Sequence, residues 1–185
     1  MDQVQRLIET YRCLPSPVDA EGSSRFAIIT ELGRHVGDPR VVDLYVSVIA
    51  DPQEYDLARI ECIKVLGLRP PDAHADRQRV GRAIAQTLWP DEDYLVRQYA
   101  AMSLGAYAED DDVFEALATA LTHDDDIDVR HNALESIREA GPDDRGLALL
   151  RRMVDDPELG SAAKHTLQDW AAGVGDGTRA DRPGR

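Results

Sequence analysis

The sequence predicts an all-α solenoid of about five stacked helical hairpins, and three observations carry that expectation. An arginine recurs in similar surroundings at Arg25, Arg59, Arg97 and Arg130, at steps of 34, 38 and 33 residues, and a fifth copy follows another 33 residues on with Ala163 in its place. Self-similarity at a period of about 20 to 50 residues is the mark of a stacked array. Apolar columns keep step with the arginine: Ile28, Cys62, Ala100, Ala133 and Thr166 stand three residues after it, and Leu32, Leu66, Leu104, Ile137 and Trp170 seven after it. Aromatics make up only 5% of the chain while the hydrophobic share is 43%. Ala and Leu dominate that share, which favours close helix packing over a β-sandwich.

Each repeat pairs two apolar-periodic segments. The first members are DQVQRLIETYRCL, VVDLYVSVIA, RQRVGRAIAQTLW, DVFEALATAL and DRGLALLRRMV. The second members carry the arginine column in SSRFAIITELG, LARIECIKVLG, VRQYAAMSLG, DVRHNALESIR and SAAKHTLQDW. The breaks between them are rich in Asp and Pro, residues suited to N-caps and first helical turns. Gly33, Gly67 and Gly105 each follow a leucine and offer a left-handed stop to the second helix. The hairpins are expected over about residues 1–36, 38–68, 75–107, 110–140 and 143–172, followed by a flexible tail over 173–185.

These residues resemble the HEAT-repeat family, including the short bacterial HEAT-like repeats, whose second helix runs roughly Asp, then Val-Arg, then Ala-x-x-Ala-Leu-Gly. The resemblance is carried by Asp91, Val96, Arg97, Ala100, Ala101, Leu104 and Gly105, and by Asp124, Val129, Arg130, Ala133, Leu134 and Ile137. It covers about residues 1–172 and implies a right-handed α-α superhelix. It also implies that Arg25, Arg59, Arg97 and Arg130 form a ladder, each reaching the turn aspartate of the preceding repeat. The acid six residues before the arginine is Asp19, Asp91 or Asp124 in three copies, and Gln53 and Pro157 in the other two. A guanidinium near a helix N-terminus can bridge a carboxylate and turn carbonyls with directed hydrogen bonds, which sets a stacking register.

The net charge of -14 argues against nucleic acid as a partner, because such affinity comes from Lys and Arg displacing counterions. Two cysteines, Cys13 and Cys62, are too few for a disulfide scaffold, and the start MDQVQRLIETYR has no signal-peptide pattern. No apolar run approaches the roughly 20 residues of a membrane span. A soluble, cytoplasmic chain without a membrane partner is expected.

No cofactor or metal is expected either. Asp124, Asp126, Asp128, Asn132 and Glu135 fall at calcium-loop spacing, but Val129 stands where that loop needs Gly for its sharp turn. HExxH, CxxC and the phosphate-cradling glycine motifs do not occur. HEAT-like folds also host alkylpurine DNA glycosylases, which need a basic concave face, and phycobilin lyases, for which nothing here marks a bilin site. Trp89 and Trp170 read as packing at repeat junctions. A non-enzyme is expected.

On a second helix, taking the residue before the arginine as zero, offsets 0, 4, 5 and 8 are apolar and offsets 2, 3, 6 and 10 point away from the core. Across the array those outward offsets include Phe26, Ile60, Lys64, Gln98, Tyr99, Met102, His131, Asn132, Glu135 and His165. Successive second helices of a solenoid line its concave face, so these residues form a candidate partner strip. Phe26 and Ile60 fit either that strip or packing on a neighbouring helix. Twelve acids and one base lie between Asp91 and Asp128. Of these, Asp110, Asp111, Asp112, Asp124, Asp125 and Asp126 form a candidate acidic edge for a basic protein. The expected function is non-catalytic protein binding, in its most specific version as an immunity protein or inhibitor of a basic toxin. The alternatives are an accessory or regulatory subunit of an enzyme complex and, more remotely, a HEAT-like DNA glycosylase or lyase.

Overall fold

A computed structural model describes residues 2–15, 24–89 and 92–177, and over them the chain is an all-α solenoid without a strand. The helices pair in chain order: α1 (Gln3–Cys13) with α2 (Ser24–Leu32), α3 (Pro39–Ile49) with α4 (Asp56–Leu68), α5 (His74–Ala85) with α6 (Tyr94–Ser103), α7 (Asp111–His123) with α8 (Ile127–Ala140), and α9 (Asp144–Met153) with α10 (Gly160–Gly177). Single 3-10 turns at Gly33–His35, Gln86–Leu88 and Gly105–Tyr107 extend α2, α5 and α6. Neighbouring first helices pack as one layer (α1, α3, α5, α7) and neighbouring second helices as the other (α2, α4, α6, α8). α10 runs to Gly177, so helix continues past the expected tail boundary, and residues 178–185 lie outside the described residues.

The Asp-rich breaks start the helices. Asp2, Asp38, Asp93, Asp110, Asp126 and Asp143 each accept a backbone N–H at the head of α1, α3, α6, α7, α8 and α9. A cap of this kind contributes about 1 kcal/mol. Helix α3 shows why such segments fold only as part of a stack: Val41, Val42, Leu44, Tyr45, Val48 and Ile49 are all buried, an arc that two flanking layers must cover. Small residues Ala58, Ala100, Ala101, Ala133 and Ala163, all fully buried, let the second helices approach one another.

The leucine-glycine pairs do not serve as left-handed stops. Among the described glycines only Gly141 has a positive φ, at 91°. Gly67 lies inside α4, and Gly33 and Gly105 open 3-10 turns. What the column provides is close approach to the next hairpin. A Cβ on Gly67 would lie 2.6 Å from Cβ of Ser103 in α6, and one on Gly105 would lie 3.1 Å from the Ser136 carbonyl of α8. Hydroxyls pin the same junctions: Tyr45 donates to the Ile29 carbonyl, Tyr107 to that of Leu66 and Ser136 to that of Ala101, each at 2.6 Å.

Gly67→Ala should therefore destabilise the protein although alanine is the better helix former. Overpacking costs about 1–3 kcal/mol, against a propensity gain of about 1 kcal/mol. Gly173→Ala, where nothing lies within 4 Å, should leave stability unchanged or raise it. Urea unfolding of the two variants beside Gly67→Ala combined with Ser103→Gly checks this, the double variant recovering part of the loss.

Candidate functional site

The arginine column forms a continuous set of bridges. Arg25 donates to the buried Glu54 carboxylate at 2.5 Å and to the Leu14 carbonyl at 2.8 Å, with its guanidinium 4.7 Å from the centre of the Tyr11 ring. Tyr11 donates to the same Glu54 carboxylate. Arg59, 2% exposed, grips both oxygens of Glu92 at 2.8 and 2.5 Å and donates twice to the Ile49 carbonyl. Arg97 holds Asp124 through two donors at 3.0 and 3.1 Å, Asp125 at 3.0 Å and the Glu92 carbonyl at 2.7 Å. Arg130 reaches Asp156 at 2.5 Å, Glu158, and the Leu121 carbonyl at 3.0 Å. Every guanidinium thus ties its own hairpin to the one that follows.

That direction corrects the sequence reading, which paired each arginine with the preceding repeat. Asp124 is a ladder acid, and it holds Arg97 of the hairpin before it. Asp19 and Asp91 lie outside the described residues. The acids that do the pairing stand mainly five residues before the arginine column, as Glu54, Glu92, Asp125 and Glu158, and this periodic signal was readable one position away from the aspartates followed.

The second-helix strip is more closely packed than its offsets imply. Ile60 is only 4% exposed and belongs to the core, because α2 and α6 flank α4 on both sides and widen its buried arc. Phe26 and Tyr99 are half-buried against that core. Gln98 donates to Asp126 at 3.1 Å and Asn132 to the Gln98 carbonyl at 3.2 Å, so both link α6 to α8. Lys64 pairs with Glu61, Glu135 with Arg138, and His165 lies 3.4 Å from Asp169. Of the ten strip residues named from the sequence, Met102, at 48%, is the strongly exposed apolar one, with His131 and His165 exposed on the helices that follow.

Residues 81–168 match the family model described as HEAT repeats. Over that stretch, a little under half of the chain, the residues are HEAT repeats. No curated protein matches the chain. HEAT repeats generally mediate protein–protein interaction, and HEAT-repeat proteins are typically non-catalytic scaffolds. Among the described residues no helix is long and apolar enough to cross a membrane, and no group of three or more His, Cys, Asp or Glu is arranged to hold a metal ion.

The acids of the HEAT array do not form one edge. Asp110, Asp111 and Asp112 stand at the start of α7 and Asp124, Asp125 and Asp126 beyond its end, so 13 residues of helix, about 20 Å, separate the groups on opposite rims. Most of these carboxylates already have work. Asp110 caps α7 and pairs with Arg82, Asp111 pairs with Arg145 at 2.6 Å, and Asp124 accepts the Asp126 N–H while holding Arg97. Against the pull of burial, N–H donors at Val129 and Asp128 and the Gln98 amide hold the Asp126 carboxyl below its ordinary value. Burial pushes the Cys62 thiol well up, leaving it inert as a nucleophile.

A second set of bridges, not anticipated from the sequence, links the first helices. Arg40 pairs with Asp2, Arg79 with Asp43, Arg82 with Asp110 and Arg145 with Asp111, joining α1, α3, α5, α7 and α9 in turn. These pairs are largely exposed, and such pairs contribute about 0–1 kcal/mol each. The buried second-helix ladder dominates the register.

Arg59→Gln should cost about 3–5 kcal/mol, because it leaves a half-buried Glu92 carboxylate without its cation; thermal unfolding checks this. The pH dependence has a defined sign. The hydrogen bonds from Arg59 hold the Glu92 carboxyl below its ordinary 4.5, so its contribution is present above pH 4.5 and is lost as pH falls through the lowered folded value. Denaturation midpoints between pH 7 and 3 should fall more steeply for wild type than for Glu92→Gln.

Proposed function

We propose that this chain is a non-catalytic module that binds a basic protein, engaging it through exposed side chains of the second helices and restraining it as an inhibitor or immunity protein restrains a toxin. The observation that carries the reading is the match of residues 81–168 to repeats that generally mediate protein–protein interaction. The charge of -14 supports a basic partner. Carboxylates that project beyond their bridges, those of Asp111, Asp112 and Asp125, add to a field that speeds encounter with such a partner. Met102 supplies an apolar contact, with Gln98, Tyr99, His131, Asn132, Glu135, Lys64 and His165 around it as polar and aromatic neighbours along the row.

Photo-crosslinking in the native host tests the reading. A photoactivatable residue at position 102 or 131 should give a discrete adduct with a basic protein, and the same residue at the exposed first-helix positions Glu115 or Thr119 should not. Raising the salt from about 50 to 500 mM should slow association several-fold while leaving dissociation nearly unchanged. Adducts absent from positions 102 and 131, or equal at all four positions, would reject the proposal.

A further inference from the structure

Five of the seven strongly exposed large apolar side chains among the described residues gather on one rim. Leu57 is the second residue of α4, Tyr94 and Leu95 open α6, Ile127 opens α8, and Trp89 follows the 3-10 turn that leads towards α6. Their exposures run from 37% at Leu95 to 70% at Trp89. All five therefore lie at the turns inside the hairpins, where α4, α6 and α8 begin side by side, joined by the Arg59–Glu92 and Arg97–Asp124 bridges. Two helix spacings of about 8–10 Å make the row roughly 20 Å long. Leu68, more exposed still, stands alone at the opposite end of α4. Single exposed leucines are ordinary on a folded surface, whereas a row that includes a Trp and a Tyr has the composition of an interface core. Trp89 also departs from the packing role read from the sequence, which Trp170, at 8%, does fill against Gly146.

Charge on this rim is one-sided. Asp51, Asp56, Asp93, Asp125 and Asp128 present carboxylates among the apolar residues. The cations of the same turns, Arg59 and Arg97, have side chains only 2% and 7% exposed and lie behind them. Burial, with the charges of Asp93 and Glu92 adding to it, raises the Asp56 carboxyl above its ordinary value although Arg59 stands 3.5 Å away. The field at this end of α4 and α6 is therefore negative.

We infer that the rim of Leu57, Trp89, Tyr94, Leu95 and Ile127 docks a basic amphipathic segment of a partner protein. Apolar side chains of that segment cover the ridge, and its Lys or Arg residues face Asp56, Asp93, Asp125 and Asp128. The inference rests on the reading of the chain as a protein-binding module and gives the partner a chemistry. A second copy of the chain would set like charges against each other, and a phosphate backbone would be repelled. A helix of about 13 residues matches the length of the row.

The test uses the full chain with a synthetic helical peptide of about 14 residues, Leu on one face and Lys on the other, beside a twin in which Glu replaces Lys. Trp89 is the exposed tryptophan and Trp170 the buried one, so acrylamide quenching reports mainly on the rim. The Lys peptide should shift the emission to the blue and protect Trp89, and the Glu peptide should do neither. Leu57→Ser combined with Leu95→Ser should weaken binding about tenfold. Asp56→Asn combined with Asp93→Asn should weaken it several-fold at low salt and less at high salt. Circular dichroism confirms that these surface variants fold. Absence of Trp89 protection, equal binding of the Glu peptide, or unchanged affinity in both double variants would overturn the inference. Concentration-dependent protection without peptide would assign the rim to a second copy and overturn it as well. If a partner crosslinked at position 102 binds the Leu57→Ser, Leu95→Ser variant with unchanged affinity, the rim inference fails and the interaction module stands. If no adduct forms at position 102 or 131, the module reading fails whatever the peptide does.

Discussion

The bridge from each second-helix arginine to the turn acid of the next hairpin is the constraint on which the stack depends. Apolar packing between two helices is nearly indifferent to a shift of one turn, since one Leu or Ala then replaces another. Directed hydrogen bonds are not. Arg59 can satisfy the Ile49 carbonyl behind it and both oxygens of Glu92 ahead of it in only one relative placement of α4 and α6. Burying a guanidinium is costly unless its donors are met, and here the carboxylate and the carbonyl meet them together. The close approach of Gly67 to Ser103 and the Tyr107 bond to the Leu66 carbonyl are possible only once that placement is set.

The same turns also begin the helices, and the two tasks share residues. Asp124 holds Arg97 and accepts the Asp126 N–H, while Asp126 caps α8 and receives Gln98. A run of three aspartates that looks like a docking edge in sequence is thus largely occupied by the protein itself. Asp125 is the exception in exposure, at 93%, although it too touches Arg97. High local acidity in a repeat array first reports how many caps and rungs it must supply, and only the remainder bears on a partner.

The period, the helical pairing and the identity of the ladder arginines were legible in the sequence because each repeats along the chain, and repetition makes a weak local signal strong. The direction of the ladder was not, since an arginine and two flanking acids fit either neighbour until the helices are placed. A clue was nonetheless present. Arginines occupy the column in the first four hairpins and acids stand five residues ahead of it in the last four, an offset of one hairpin. Ile60, which fits either the strip or core packing in sequence, was undecided for a different reason: amphipathic periodicity describes one helix against one surface, and α4 is covered from two sides. The glycines were ambiguous because both a left-handed stop and a close contact select the same residue. Trp89 could not be placed from its neighbours, since a turn residue has no periodicity to read.

Placing the arginines inward has an electrostatic consequence of its own. The cations that hold the register, Arg59 and Arg97, lie beneath the turns, and the carboxylates they do not fully neutralise lie above them. Structural pairing therefore separates charge across the rim instead of cancelling it. Leu57, Tyr94, Leu95 and Ile127 stand at the helix starts among those acids, within the field that the ladder creates. A constraint that first serves stacking leaves an apolar ridge in a negative field, and that combination favours a partner offering both greasy and basic groups over one offering either alone.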